Sequence, residues 1–167
     1  MNNEFVICVS GGFDPVHGGH IDMLRDAKKE VSKVIAWQFS DDNCSPFDAD
    51  TIEKYNYLKL IVLLNSDEWL ERKKGRAFMS FDERAKVLSG LRWVDIVTNV
   101  WDKDGTVCEG LRQIKPDFFI NGGDRKAENT PELAVCRELG ITPIFGVGGK
   151  KTQSSSDLLR GWNESNA

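Results

Sequence analysis

Histidine is nearly absent from this chain. Of 167 residues only two are histidine. They are His17 and His20, and they sit with four glycines in Gly11–Leu24, GGFDPVHGGHIDML. Cysteine is sparse as well: Cys8, Cys44, Cys108 and Cys136 form no C-x-x-C pair, which speaks against a structural zinc site and a redox dithiol. Cys8 and Cys136 fall in apolar-patterned segments and read as small buried hydrophobes in a reducing compartment. Long apolar runs are missing; Leu60–Leu64 is among the longest and is far too short to span a bilayer. The opening MNNEFVICVS has no basic stretch, and Glu4 interrupts it, so no targeting segment is read and a cytoplasmic location is expected. Positive charge is not in excess either. With 22 Lys and Arg against 26 Asp and Glu, the net charge is −4, which argues against a nucleic-acid or membrane-surface partner. A local cluster of donors can oppose that global sign, so a small anionic substrate is still compatible.

What is present suits one globular domain over residues 1–167. The chain is 40% hydrophobic and 29% charged, and it is long enough for a full core. Short apolar runs alternate with amphipathic stretches. Phe5–Val9, Leu58–Leu64, Val94–Val100, Asp117–Ile120 and Ile141–Val147 read as strands buried on both faces. Gly19–Glu30, Ser66–Lys74, Phe81–Leu91, Thr106–Ile114, Pro131–Leu139 and Ser154–Trp162 carry helical spacing. Ser80 and Thr130-Pro131 mark helix starts and Gly140 a stop. This rhythm predicts a Rossmann-like α/β fold, a doubly wound parallel sheet of about five strands with helices on both faces. In such sheets ligands bind beyond the carboxyl ends of the strands.

One segment breaks the rhythm. Trp37–Tyr57, containing SDDNCSPFDAD, reads as an insertion, and VIAWQF (Val34–Phe39) reads as an extra strand leading into it. The insertion is an irregular loop or a small hairpin with a helix. As a lid or subunit contact it leaves a homodimer open; as a solvated excursion it does nothing.

The glycine–histidine stretch leaves strand one and opens helix one, so backbone N–H groups and a helix N-terminus reach one point, an anion site. Gly11, Gly12, Gly18 and Gly19 leave the main chain open to phosphate oxygens. Asp14-Pro15 favours a turn. His17 and His20 straddle the helix start, where their ring N–H groups converge on the same anion. A capping histidine beside a core histidine is the plainer alternative. A metal site would need a further ligand, and only Asp14 offers itself. A dinucleotide fingerprint fails, because G-x-G-x-x-G is absent.

These residues carry a resemblance. GGFDPVHGGH resembles the H-x-G-H signature of the nucleotidyltransferase superfamily of cytidylyl- and adenylyltransferases. Arg92–Val97, RWVDIV, is similar to the R-Y-V-D-E-V segment of glycerol-3-phosphate cytidylyltransferases. DERAKVLSGLRWVD and KPDFFINGGD are closer to the adenylyltransferase domain of bacterial heptose-phosphate enzymes, and Thr152–Leu159, TQSSSDLL, to the closing serine/threonine motif that meets the triphosphate. Two departures stand out. Gly149, Lys150 and Lys151 replace the arginine-bearing run of the cytidylyltransferase pattern, and Leu159, beside Arg160, stands where the nicotinate-mononucleotide pattern has arginine. The base and the acceptor therefore stay open.

The resemblance implies in-line attack by an acceptor phosphate on the α-phosphate of ATP or CTP, with pyrophosphate leaving. It implies Mg²⁺ held mainly by phosphates rather than by a protein cage. His17 and His20 would be the catalytic donors, and the backbone at Gly11, Gly12 and Phe13 with Gly19 would hold the nucleotide. Asp14 would place either the metal or the turn. Ser154, Ser155 and Ser156 would face phosphate, or one of them would simply cap a helix. Gly122, Gly123 and Asp124 would make room for the nucleoside and hold ribose hydroxyls, or form a tight turn. Lys74, Arg84, Arg125 and Lys126 are weak candidates for the acceptor phosphate. The reading is transfer to a sugar or polyol phosphate; a cofactor-pathway adenylyltransferase and a non-catalytic nucleotide-binding module are the alternatives.

Overall fold

Alternation along the strands sorts the apolar residues into two layers. On the first strand, β1 (Phe5–Gly11), Ile7 and Val9 face one core while Cys8 faces the other. On β2 (Leu58–Leu64) the even-numbered leucines and Val62 join Ile7, and Ile61 and Leu63 join Cys8. A strand turns successive side chains to opposite faces, so a nearly continuous apolar run such as LKLIVLL requires cover on both sides. The computed structural model described here covers residues 4–38, 57–123, 125, 130–149 and 154–165.

Those residues form an all-parallel five-stranded sheet in the order β3-β2-β1-β4-β5. Its remaining strands are β3 (Ile96–Asn99), β4 (Phe118–Gly122) and β5 (Thr142–Val147). The chain winds outward from β1 to β3 and then returns to place β4 on the other side of β1. This is a Rossmann-like α/β fold, and its switch point lies between β1 and β4. Helix α1 (Gly18–Gln38) and helix α3 (Phe81–Ser89) supply Leu24, Ala27, Val31 and Leu88 to the first core. Helices α4 (Cys108–Ile114) and α5 (Leu133–Leu139) supply Leu111, Val135 and Cys136 to the second. Helix α2 (Asp67–Lys74) follows β2, and α6 (Ser155–Ser165) ends the described chain.

The punctuation acts as its chemistry requires. The Ser66 hydroxyl accepts the Trp69 N–H at the start of α2, and the Ser80 hydroxyl accepts the Glu83 N–H at the start of α3. Gly140 ends α5 in the left-handed region, its N–H returning to the Cys136 carbonyl. The start of α5 differs from expectation: a turn at Thr130–Pro131 precedes it, and the regular helix begins at Leu133.

Over its described part, residues 34–38, the extra strand read at VIAWQF is replaced by helix. Residues 34–38 are the last turns of α1, because Leu24, Ala27, Val31, Val34 and Ile35 repeat at helical spacing and pack against the first core. The rest of the expected insertion, residues 39–56, lies outside the described residues. Among the described residues, no helix is long and apolar enough to cross a membrane.

Candidate functional site

Above the carboxyl edge of the sheet, a cavity of about 590 Å³ opens at the switch point. The end of β1 and the loop after it form one wall, contributing Gly11, Gly12, Phe13 and His17, and the start of α1 brings in Gly19 and His20. The end of β4 adds Gly122 and Gly123, and α6 adds Ser154, Ser155 and Ser156. Lys74 and Arg125 also line it. Residues drawn from separate stretches of sequence thus meet in one place.

The two histidines form a unit. Their rings stack with centroids 3.8 Å apart and planes 30° off parallel. The His17 backbone N–H donates to His20 Nδ1 at 3.2 Å. An imidazole nitrogen that accepts a hydrogen bond carries no proton, so in this arrangement the His20 proton sits on Nε2, which becomes a donor. The Phe13 ring, 4.9 Å from the His20 ring, backs the pair from the core side. To reach that position Phe13 takes φ +49°, a left-handed conformation costing about 1–3 kcal/mol in a non-glycine residue.

The glycines divide by task. Gly12 lacks a side chain because Leu70 occupies the space: a Cβ there would meet Leu70 Cδ2 at 2.7 Å. Gly148, at φ +86°, brings the loop after β5 so close to α1 that a Cβ would lie 2.9 Å from Met23 Cα. Gly18, by contrast, borders open space.

For Asp14 the structure favours one of the two readings, the turn, and for Arg84 it corrects the expectation. Asp14 does not line the cavity; it is 1% exposed, and its carboxylate accepts the Phe78 and Met79 N–H groups at 2.7 and 2.8 Å. With both oxygens so engaged it holds a turn, joining the β1 loop to the chain before α3. Arg84 is not an acceptor-phosphate group. Its side chain is wholly buried, donating to the carbonyls of Gly12 at 2.7 Å, Asn65 at 2.9 Å and Met79 at 3.1 Å, and to Asp67 at 2.5 Å. The guanidinium is consumed in fastening the loop after β1 to the end of β2.

The serines divide similarly. The Ser154 hydroxyl caps α6, accepting the Asp157 N–H at 3.1 Å. The Ser155 hydroxyl donates to the Pro15 carbonyl at 2.9 Å, tying α6 to the histidine loop. Ser156 is exposed at the rim. The other two expected contributors, Asp124 and Lys126, lie outside the described residues.

Several lining residues escaped the sequence reading. Asn65 follows β2 directly, with its N–H on the Gly11 carbonyl at 3.0 Å and its amide on buried Asp102 at 3.1 Å. Asn121, Gly148 and Gly149 close β4 and β5. All occupy positions at strand carboxyl ends, the signal that could have found them. Trp69 and Lys73 come from α2, the ammonium 4.3 Å from the indole centroid. Glu132 is buried at the far end, its Oε1 accepting the Val107 N–H at 3.2 Å.

Fold and cavity define a Rossmann-like α/β protein with a ligand-sized opening at the switch point. A family model, Cytidylyltransferase-like, matches residues 8–47, which take in the histidine loop. The bifunctional protein HldE of Wolinella succinogenes is 36% identical over 158 residues, covering 93% of this chain and 27% of that protein. HldE of Campylobacter concisus is 32% identical over 149 residues, covering 88% of this chain and 25% of its own length. The chain therefore spans about a quarter of the length of these relatives. A crystal structure of a lipopolysaccharide core biosynthesis protein from Thermoplasma volcanium shares the fold, at TM-score 0.59 and 22% identity, over 88% of this chain and 98% of that one. The chain thus resembles the Cytidylyltransferase-like family over its histidine loop and a quarter-length portion of HldE over nearly all of its own length.

Proposed function

We propose that the protein transfers a nucleoside monophosphate from ATP or CTP to the phosphate of a sugar or polyol phosphate. An acceptor phosphate oxygen attacks the α-phosphorus, the bond to the β-phosphate oxygen breaks, and pyrophosphate leaves. The nucleophile is already an anion at neutral pH, so the site needs neither a general base nor a covalent nucleophile. Catalysis is then positioning together with neutralisation of charge on the transferring group.

The observation that carries this reading is the His17–His20 unit. The His17 N–H fixes the His20 tautomer so that Nε2 donates, and both rings border the cavity at the start of α1. A donor already oriented there stabilises charge as it builds on phosphorus without reorganising. Lys74 is the lining cation proposed for the acceptor phosphate, and Ser156 the rim hydroxyl proposed for the triphosphate.

The resemblance implies a magnesium ion held mainly by the substrate phosphates. Among the described residues no three His, Cys, Asp or Glu side chains cluster as a metal cage. Asp14 is committed to backbone N–H groups. A magnesium ion commonly takes only one or two protein carboxylates beside substrate phosphates, and when bound it would neutralise charge on the triphosphate.

ATP is favoured by the likeness of the NGGD segment to heptose-phosphate adenylyltransferase domains. The test is pyrophosphate release with ATP, CTP, GTP and UTP against mannose 1-phosphate, ribose 5-phosphate, glycerol 3-phosphate, nicotinate mononucleotide and phosphopantetheine. Turnover with ATP or CTP and a sugar or polyol phosphate is expected. Turnover confined to UTP or GTP, or to the two cofactor precursors, overturns the reading.

A further inference from the structure

The α4–α5 end of the cavity holds an arrangement that the phosphate chemistry does not use. Strand alternation places Phe118 and Ile120 in the first core and Phe119 in the second. Asn121 therefore turns toward α4 and α5, away from the histidines. It is 3% exposed and lines the cavity, and its Nδ2 has no hydrogen-bond partner among the described residues. Facing the same end is Glu132, 1% exposed. Its Oε1 accepts the Val107 N–H, while Oε2 has no hydrogen-bond partner among the described residues. Arg125 Nη1 forms an ion pair with Oε2 at 3.6 Å, too long for a hydrogen bond, and Nη1 is itself buried with no hydrogen-bond partner among the described residues.

A buried amide donor and a buried carboxylate oxygen left unsatisfied each cost free energy, and such groups are uncommon unless something completes them. A ligand that completes them must accept from the amide N–H and donate to the carboxylate. A hydroxyl does both. A phosphate does not, since the carboxylate would repel it. Among the described residues no aromatic ring lines this end to stack a base; the lining aromatics, Phe13 and Trp69, belong to the β1 loop and α2. We infer that Asn121 and Glu132, with Arg125 behind the carboxylate, bind sugar hydroxyls and orient the sugar for the phosphates at the histidine end. This site rests on the nucleotidyl-transfer reading for its place in the reaction, though not for its chemistry.

Two substrates could supply those hydroxyls, the ribose of the nucleotide or the acceptor sugar. Calorimetry distinguishes them without requiring turnover. Wild type, Asn121→Leu and Glu132→Gln are titrated with ATP, 2′-deoxy-ATP, 3′-deoxy-ATP and mannose 1-phosphate, with circular dichroism to check folding. Glu132→Gln retains a carbonyl oxygen for the Val107 N–H, so it carries the test if Asn121→Leu does not fold. If the hydroxyls are ribosyl, the variants bind ATP roughly ten- to a hundredfold more weakly and no longer prefer it to its deoxy forms. If they belong to the acceptor, the same loss falls on mannose 1-phosphate and spares the nucleotides. Variants that bind both series within twofold of wild type overturn the site. A wild type that shows the hydroxyl preference but releases no pyrophosphate with any pair keeps the site and overturns the proposed reaction.

Discussion

The Arg84 guanidinium donates to the Gly12 carbonyl at 2.7 Å, joining residues 72 positions apart in the chain. The same Nη1 reaches the Asn65 carbonyl, so one buried cation fixes the ends of β1 and β2 relative to α3. Both loops line the cavity. A planar fork with several donors suits this task; an ammonium offers one nitrogen for four separated acceptors. Arg84→Met should cost about 3–5 kcal/mol, since it strands buried carbonyls and leaves Asp67 without its cation. Arg84→Lys should recover only part of that. Urea unfolding measures both. If Arg84→Lys is as stable as wild type and only the acceptor KM rises, the guanidinium contacts substrate and the structural account is wrong.

Asp14 tests a related distinction. Its two oxygens each take one backbone N–H, from Phe78 and Met79. An asparagine in its place would offer only one acceptor oxygen and turn an amide N–H₂ toward a backbone donor. Asp14→Asn should therefore destabilise by about 1–3 kcal/mol, while the Mg²⁺ concentration giving half-maximal rate stays near the wild-type value. A large rise in that concentration with unchanged stability would show that Asp14 serves the metal after all.

Much of this architecture was legible because it follows from local rules. LKLIVLL reads as a strand covered on both faces, and Ser80 and Gly140 act as the caps their chemistry suggests. The histidine loop was legible through its composition. Two kinds of feature were not. A charged residue on an amphipathic helix reads as solvated, so the burial of Arg84 depends on carbonyls from Gly12, Asn65 and Met79 that converge only in the fold. The β-branched VIAWQF run favours a strand by propensity, but Val34 and Ile35 continue the helical stripe of α1, and packing overrides the preference. Gly12 illustrates a third case: its place in a glycine-rich turn between strand and helix was clear, yet the contact that excludes a side chain there is with Leu70.

Alkali should reveal the second core. Burial pushes the Cys8 thiol from 9.0 up to about 12, and the Cys136 thiol, with Glu132 adding to the effect, up to about 11. A raised folded pKa means the native state holds its proton where the unfolded chain has lost it. That contribution is complete below pH 9 and fades as pH climbs toward 11 and 12. Stability should consequently fall with pH above about 9, and Cys8→Ala, although less stable at neutral pH, should fall less steeply. Urea midpoints at pH 7, 9 and 10 for the two proteins supply the comparison. Parallel slopes would mean that Cys8 does not hold its proton in the fold.

The histidine pair yields the sharpest kinetic expectation, because the two nitrogens of His20 have different tasks. Nδ1 accepts the His17 N–H, and Nε2 is the nitrogen proposed to donate to phosphate. A donor used chiefly as charge builds on phosphorus affects kcat more than substrate affinity. By analogy with a lost oxyanion-hole donor, His20→Ala should lower kcat by about 10²–10³, with a smaller change in nucleotide Kd. His17→Ala should do likewise. The two amides then separate the tasks of His20. Asparagine places an oxygen near the Nδ1 position and can keep the His17 N–H bond, but it is too short to donate where Nε2 does. Glutamine reaches the Nε2 position with an N–H but gives up the loop bond. If donation to phosphate dominates, His20→Gln should recover more of the rate than His20→Asn; if holding the loop dominates, the order reverses. Pre-steady-state turnover with nucleotide binding by calorimetry reads both quantities for each variant. Alanine variants that turn over within a few-fold of wild type would remove the imidazoles from the chemistry, and variants that lose nucleotide binding outright would make them ground-state ligands.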